Sequence, residues 1–335
     1  MKKNVTLKTI ADELHISATA VSKALRGEGS ISKELTSKIK QMAEELNYQP
    51  NSIASSLRTR RTKTLGVVIS DSTFSLFAAL IDGIEKTAHD LGYSIILCNA
   101  HGSAEKEKDA VRTLVNKRID GLLLAASLLT SKKDKEFLDS FEVPYLFMVR
   151  NCDYDEGDYV VNDNVEGTFQ IIDYLLKTGS KKIYFINISD TITTYRERLQ
   201  GYQEALAANG VKFDGNIVYN IKPTYEEGYH AASRLLTSQG KENIRAIFCG
   251  CDTIAIGVME RILEENIRIP GDIRLASYDD IEFAAHLRIP LTTVRQPTYK
   301  IGQLGAEKLI EKIMANPDLH INMVIKPELV LRQST

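Results

Sequence analysis

The sequence predicts an all-α helix-turn-helix head followed by an α/β core of two doubly wound parallel-sheet lobes. Three observations predict it. Three short amphipathic helices fill residues 6–47, strands and helices alternate from residue 64 onward, and the strands of that alternation are nearly unbroken apolar runs. Continuous apolar strands belong to parallel sheets covered on both faces, which strand–helix alternation builds. At 335 residues the chain is also too long for one simple core and predicts two or three units.

The head is legible helix by helix. Leu7, Ile10, Ala11 and Leu14 recur at helical spacing and form one apolar stripe, with Thr6 where an N-cap belongs. A break at His15 and Ile16 follows. Ser17 then caps a second helix carrying Ala20, Val21, Ala24 and Leu25, and Gly27 and Gly29 end it. Ser32 caps a third, with Glu34 in its first turn and Leu35, Ile39, Met42 and Leu46 on its inner face. Three helices with a short link between the first two follow the helix-turn-helix plan.

Residues 49–63 differ in character. Pro50 terminates what precedes it, and residues 51–57 suffice for two helical turns, too few to be stable alone in water. Arg58, Arg60, Arg61 and Lys63 close the stretch. A linker of this kind is expected to order on a partner. The domain division is therefore 1–48, 49–63 and 64–335.

The core reads as two successive sets. In the first, strand 64–70 precedes helix 76–91, strand 94–98 precedes helix 104–117, and strands follow at 121–126 and 145–149. In the second, strand 182–188 precedes helix 194–209, a strand lies near 217–221, and helix 225–238, strand 246–251, helix 252–265 and strand 274–278 follow. Two sets predict two similar lobes. Ligands of such folds bind beyond the carboxyl ends of the strands, so the cleft between lobes is the expected site.

Composition narrows the function. A hydrophobic fraction of 43% and a charged fraction of 26% are ordinary for a soluble globular protein. No apolar run approaches the roughly 18 to 20 residues of a membrane span, and no apolar stretch follows Met1-Lys2-Lys3 to make a secretory signal. Four scattered cysteines fit a reducing cytosol, so a cytoplasmic location is expected. The net charge of −2 hides an asymmetry: residues 1–63 carry 12 Lys/Arg against 6 Asp/Glu, a net of +6, leaving −8 for the rest. A basic head on an acidic body is expected where one end meets a polyanion, although chance clustering of surface lysines gives the same count. The six histidines show no metal spacing, and Cys249-x-Cys251 lacks a second pair, so no metal is expected. No nucleophile-elbow, phosphate-cradling or dinucleotide glycine motif occurs. No cofactor is expected, and an enzyme of doubly wound fold stands on analogy alone.

These residues carry a specific resemblance. The run Val5-Thr6-Leu7-Lys8-Thr9-Ile10-Ala11-Asp12, the run 16–25 and the run 44–54 make up the head. In the core, the blocks 65–69, 120–123, Arg198-Leu199-Gln200-Gly201-Tyr202, Ser277-Tyr278-Asp279-Asp280 and 290–297 follow in order. With this ordered set the chain resembles the LacI-type transcription regulators along essentially its full length. The resemblance implies a periplasmic-binding-protein-like core controlled by a small-molecule effector, a sugar or related metabolite. It also implies a homodimer on a pseudo-palindromic operator in double-stranded DNA, and a repressor rather than an enzyme. A transport-type sugar-binding protein, which the core also resembles, would need a signal peptide and has no use for residues 1–63.

On the head, the resemblance implies DNA contacts from Thr6, Ser17, Ala18, Thr19, Ser22 and Lys23. Ala18, Thr19 and Lys23 are placed for bases, Ser17 and Ser22 for phosphates. Lys23 replaces the usual arginine, so a bidentate contact to guanine becomes a point charge, which could equally be non-specific. In the linker it implies a hinge helix with Asn51, Ala54 and Leu57 on DNA, Leu57 being the apolar wedge in the minor groove rather than a core residue. In the cleft it implies Arg198 and Asp279, a planar cation and a carboxylate suited to ring hydroxyls or base edges. A surface or interlobe salt bridge, ordinarily the commoner fate of an Arg or an Asp, is the competing reading for each.

Several positions depart from the family pattern. Phe74-Ser75 replace Asn-Pro in the segment leading to Phe77, which is a pocket residue or the start of a core face. Pro223 replaces a stacking aromatic, with Tyr225 as the substitute. Cys251 stands for Asn or Gly, and Val149 for an aspartate, leaving Arg150. The expected effector-binding set is thus Phe74, Ser75, Phe77, Arg150, Arg198, Tyr225, Cys251 and Asp279. His15 occupies a turn position that usually has glycine, where a left-handed backbone costs on the order of 1 kcal/mol.

Overall fold

Local signals set the helices of the head. In the computed structural model, which describes residues 5–28, 31–48, 61–71, 76–125, 127–151, 157–189 and 192–335, α1 spans Leu7–Glu13, α2 Ala18–Arg26 and α3 Lys33–Glu45. Thr6 caps α1 reciprocally: Thr9 N donates to Thr6 Oγ1 at 3.3 Å, and Thr6 N donates to Thr9 Oγ1 at 3.2 Å. Ser17 Oγ accepts from Ala20 N at 3.1 Å and Ser32 Oγ from Leu35 N at 3.2 Å. Such caps contribute about 1 kcal/mol each. The turn before α2 passes through His15 at φ +52°, the left-handed conformation expected there, and α2 stops at Gly27 at φ +71°. Ile10, Ala11, Val21, Ala24, Ile39 and Ala43 form the small core, with Leu7, Leu14, Leu35, Met42 and Leu46 packed around it.

The chain divides into two units, 1–62 and 63–335. In the second unit, lobe one contains β1 (Thr64–Ile69), α4 (Leu76–Asp90), β2 (Ser94–Asn99), α5 (Ala104–Asn116), β3 (Gly121–Ala125), α6 (Lys132–Asp139), β4 (Tyr145–Met148) and β5 (Tyr159–Asn162). Lobe two contains α7 (Asn164–Lys177), β6 (Ile183–Ile188), α8 (Thr193–Ala208), β7 (Val218–Ile221), α9 (Tyr225–Gln239), β8 (Ala246–Cys249), α10 (Asp252–Glu264), β9 (Arg274–Asp279) and β10 (Thr292–Arg295). Strands β1, β3, β6, β8 and most of β9 are buried, as their apolar sequences require.

The lobes are not two successive blocks. After β10 the chain returns: α11 (Thr298–Met314) packs on α4 of lobe one, close enough that a Cβ at Gly83 would collide with the Tyr299 carbonyl. Next, β11 (Asn322–Ile325) pairs parallel with β5, and β12 (Glu328–Val330) pairs antiparallel with β10. The sheet orders are β11-β5-β4-β3-β1-β2 and β12-β10-β9-β8-β6-β7. The chain therefore crosses between lobes three times, near residues 163, 297 and 326. A second difference concerns β2. It is an edge strand, and Ile96 and Leu97 are 37% and 44% exposed where full coverage was expected.

Candidate functional site

The loops that leave the carboxyl ends of both sheets face one another across a cavity of about 330 Å³. Lobe one supplies Ser70 after β1, Phe77 at the start of α4, Leu128, and Val149 and Arg150 after β4. Lobe two supplies Ile188 at the end of β6, Thr194, Tyr195 and Arg198 on α8, and Cys251, Asp279 and Gln296 after β8, β9 and β10. The position follows from topology: parallel strands aim their loops, and thus their polar groups, at one edge.

Arg198 is the hub of the lobe-two wall. Its side chain is 2% exposed, Nη2 donates to Asp279 Oδ1 at 3.2 Å, Nε donates to Asn164 Oδ1 at 3.4 Å, and Nη1 donates to the Gly250 carbonyl. Its guanidinium carbon lies 3.7 Å from the Tyr278 ring centroid and 5.3 Å from that of Tyr195. Burial pushes the Asp279 carboxyl above its ordinary range, and Arg198 and Gln296 oppose that shift. Burial works against the Arg198 charge, but Asp279 and the two phenols hold it firmly cationic. Both residues belong to lobe two, so the pair is a buried bridge within one lobe rather than a surface or interlobe one, and it lines the cavity.

Two buried polar atoms of the wall have no hydrogen-bond partner among the described residues. Gln296 Nε2 donates to Asp279 Oδ1 at 2.6 Å, which leaves its Oε1 unbonded, and Thr194 Oγ1 is likewise unbonded. Both residues are 5% exposed. An unsatisfied buried polar group costs about 1–3 kcal/mol, and a ligand that bonds it recovers that cost. Lobe one is plainer. Its buried acid is Glu107 on α5, which accepts from Ser127 Oγ at 3.0 Å and Leu128 N at 2.8 Å. Burial raises the Glu107 carboxyl; burial also lowers Arg150, while Tyr195 and Glu107 act to keep Arg150 charged. Val149 adopts φ +71°, a strained conformation for a β-branched side chain, at the cavity wall.

Of the effector-binding residues expected from the sequence, the structure brings Phe77, Arg150, Arg198, Cys251 and Asp279 to the cavity. Phe77 serves in two ways, being also 3% exposed in the lobe-one core. Tyr225 does not join them: it starts α9, its hydroxyl is engaged by Glu260 of α10, and Pro223 lines the cavity instead. Thr224 caps that helix, its Oγ1 accepting from Glu227 N at 3.2 Å, so Tyr225 falls in the first turn of α9. Phe74 and Ser75 lie outside the described residues. Thr194, Tyr195, Glu107 and Gln296 were not anticipated. Helical spacing was the signal for the first two, since residues three and four before Arg198 share its face.

On the head, Thr6, Ser17, Ala18, Thr19 and Lys23 are exposed and Ser22 is half-buried. Ala18, Thr19, Ser22 and Lys23 lie four apart in two rows, opposite the buried Val21 and Ala24. The hydroxyls of Thr6 and Ser17 already cap their helices. Asn51, Ala54 and Leu57 lie outside the described residues.

A basic helix-turn-helix with one bare helix face, followed by a two-lobed α/β core whose largely apolar cleft holds a buried Arg198–Asp279 pair, defines a DNA-binding transcription regulator. The comparisons agree. The family model for bacterial regulatory proteins of the lacI family matches residues 6–51. The model for periplasmic binding proteins and the sugar binding domain of the LacI family matches residues 62–332. The chain belongs to the LacI family. It is 32% identical to the HTH-type transcriptional repressor PurR of Vibrio atlanticus (strain LGP32), with 98% of each chain covered. It is 30% identical to the ribose operon repressor of Haemophilus influenzae (strain ATCC 51907 / DSM 11121 / KW20 / Rd), again over 98% of each. Among solved structures it resembles the regulator CelR in complex with cellobiose, with 27% identity, TM-score 0.76 and coverage of 99% and 100%. Its fold is also that of the operator-bound lac repressor dimer, with TM-score 0.88, 24% identity and 99% of each chain covered.

Proposed function

We propose that this chain is a cytoplasmic repressor that binds a pseudo-palindromic operator as a homodimer, and that a sugar or related metabolite in the cleft sets its grip. The observation that carries the effector reading is the pair of unbonded buried atoms, Gln296 Oε1 and Thr194 Oγ1, flanking the Arg198–Asp279 pair. They call for a small ligand bearing hydrogen-bond donors, as hydroxyls or ring N–H groups are. Arg150, Cys251 and Phe77 complete its surroundings. The similarity to a ribose operon repressor and to a regulator solved with cellobiose supports this class without choosing within it.

Residues 1–48 read DNA through Thr6, Ser17, Ala18, Thr19, Ser22 and Lys23 in this account. Residues 49–63 form the hinge, with Asn51, Ala54 and Leu57 on the minor groove, and residues 64–335 sense and dimerise. The exposed Ile96 and Leu97 on the edge strand β2 support the dimer, because apolar edges are normally covered.

A thermal-shift panel of sugars, sugar phosphates and nucleobases on the full chain tests the effector claim. At a hundredfold excess over Kd, a true effector raises the core midpoint by about 5 °C or more. Asp279→Asn and Gln296→Ala abolish that rise. A panel in which no member shifts the midpoint, or shifts that survive both substitutions, refutes the pocket.

A further inference from the structure

Two contacts span the gap between the lobes at the start of α8. The Arg150 guanidinium of lobe one and the Tyr195 hydroxyl of lobe two both line the cavity, close enough for the guanidinium to donate to the hydroxyl. Close by, Thr193 Oγ1 of lobe two donates to the Asn151 carbonyl of lobe one at 3.3 Å. Tyr195 is itself held in place, for Asn187 Nδ2 donates to its backbone carbonyl at 3.2 Å and its ring centroid lies 5.3 Å from the Arg198 guanidinium carbon. A single side chain therefore touches one cation from each lobe. Of the two, Arg198 is already bound to Asp279, Asn164 and Gly250 and is fixed within lobe two. Arg150 belongs to lobe one, so its bond to Tyr195 has to break or stretch whenever the lobes separate.

We propose that Tyr195 is a positioning residue of the cleft, latching lobe one to lobe two through Arg150 so that the cavity opens only when this bond and its Thr193 companion let go. The latch is not a pH switch. Burial pushes the phenol up to about 12, so the hydroxyl stays protonated at working pH and accepts from Arg150 throughout. It also operates without regard to which metabolite binds. A metabolite panel that yields no ligand would leave the latch untouched, and a failed latch would leave the panel result standing.

The chain carries its own reporters. Cys251 lines the cavity at 4% exposure, Cys249 lies in the lobe-two core at 0%, and Cys98 is half-buried on β2. Alkylation of Cys251 reads cleft opening, Cys249 reads unfolding, and Cys98 reads reagent activity. The test treats the full-length wild type and Tyr195→Phe with N-ethylmaleimide under native conditions. Fragment ions that separate Cys249 from Cys251 give the rate at each thiol. Loss of one net hydrogen bond shifts a two-state opening by about fivefold. Cys251 should therefore react about fivefold faster in Tyr195→Phe, with Cys249 and Cys98 unchanged. Equal Cys251 rates in the two proteins overturn the proposal. If Cys249 rises together with Cys251, Thr193→Val decides by the same criterion: faster Cys251 alone supports the latch, and an unchanged rate overturns it.

Discussion

The head and the core bury different things. Among the described residues, every buried polar or charged side chain lies in the core, while the head buries only Ile10, Ala11, Val21, Ala24, Ile39 and Ala43. Three helices of 7, 9 and 13 residues are too short to stand alone, so the head rests on that apolar cluster and on three side-chain caps. The core has apolar surface to spare over two sheets and keeps charges at its cleft. Buried charge weakens a fold unless it is paired, and a ligand can change how well it is paired. The unit that senses is thus the unit that carries electrostatic cost, whereas the unit that touches DNA is held by local structure.

Arg198→Ala strikes this contrast hardest. It leaves the Asp279 carboxylate and the Gly250 carbonyl without their cationic partner, and breaking a buried pair on one side costs about 3–5 kcal/mol. Urea unfolding of the core should show that loss, while hydrogen exchange in residues 7–45 stays as in the wild type. Loss of exchange protection in the head as well would erase the contrast.

A pH series separates the units next. Asp252, fully buried at the start of α10, is pushed by burial from the ordinary 3.8 up to about 7, with Asp279 adding to the shift and bonds from Ser277, Ile281 and Thr293 opposing it. Between those two values the folded core binds the proton more tightly than the unfolded chain. That contribution is complete below about pH 4 and is lost as pH rises through about 7, on the order of 1 kcal/mol per pH unit within the window. Asp279 and Glu107, both raised by burial, act in the same direction. The core midpoint should fall from pH 5 to pH 7, and Asp252→Asn should flatten the slope. A midpoint that rises over this range contradicts the assignment.

Smaller effects belong to the head. Ser17→Ala removes the cap on Ala20 N and should lower head protection by about 1 kcal/mol without moving the core midpoint. His15→Gly relieves the left-handed backbone at φ +52° but loosens the unfolded chain, leaving a gain of about 0.5 kcal/mol in head protection. A destabilised head in that variant would mean the imidazole makes a contact that the turn needs.

The same contrast explains what the sequence disclosed. Caps, stripes and the turn at His15 are local signals, so the head was readable residue by residue. Strands β1, β3, β4, β6 and β8 were readable as apolar runs. The return of α11, β11 and β12 was not, because which strand pairs with which is decided by long-range packing. Thr194 and Tyr195 were missed although helical spacing from Arg198 carried a signal for them, whereas nothing in the sequence marks Gln296 as the partner of Asp279, 17 residues away across two strands. Tyr225 was misplaced for a related reason: its aromatic chemistry was apparent, but the direction of its side chain depends on where α9 begins.

Selection of bound duplexes from a random library, at one fixed salt concentration, tests most directly whether the bare face of α2 reads sequence as one half of a dimer. The account predicts enrichment of a two-fold-symmetric site whose half-site preference changes with Lys23→Ala and Thr19→Ala. Retention of random duplexes with no symmetric motif, unchanged by either substitution, would contradict it.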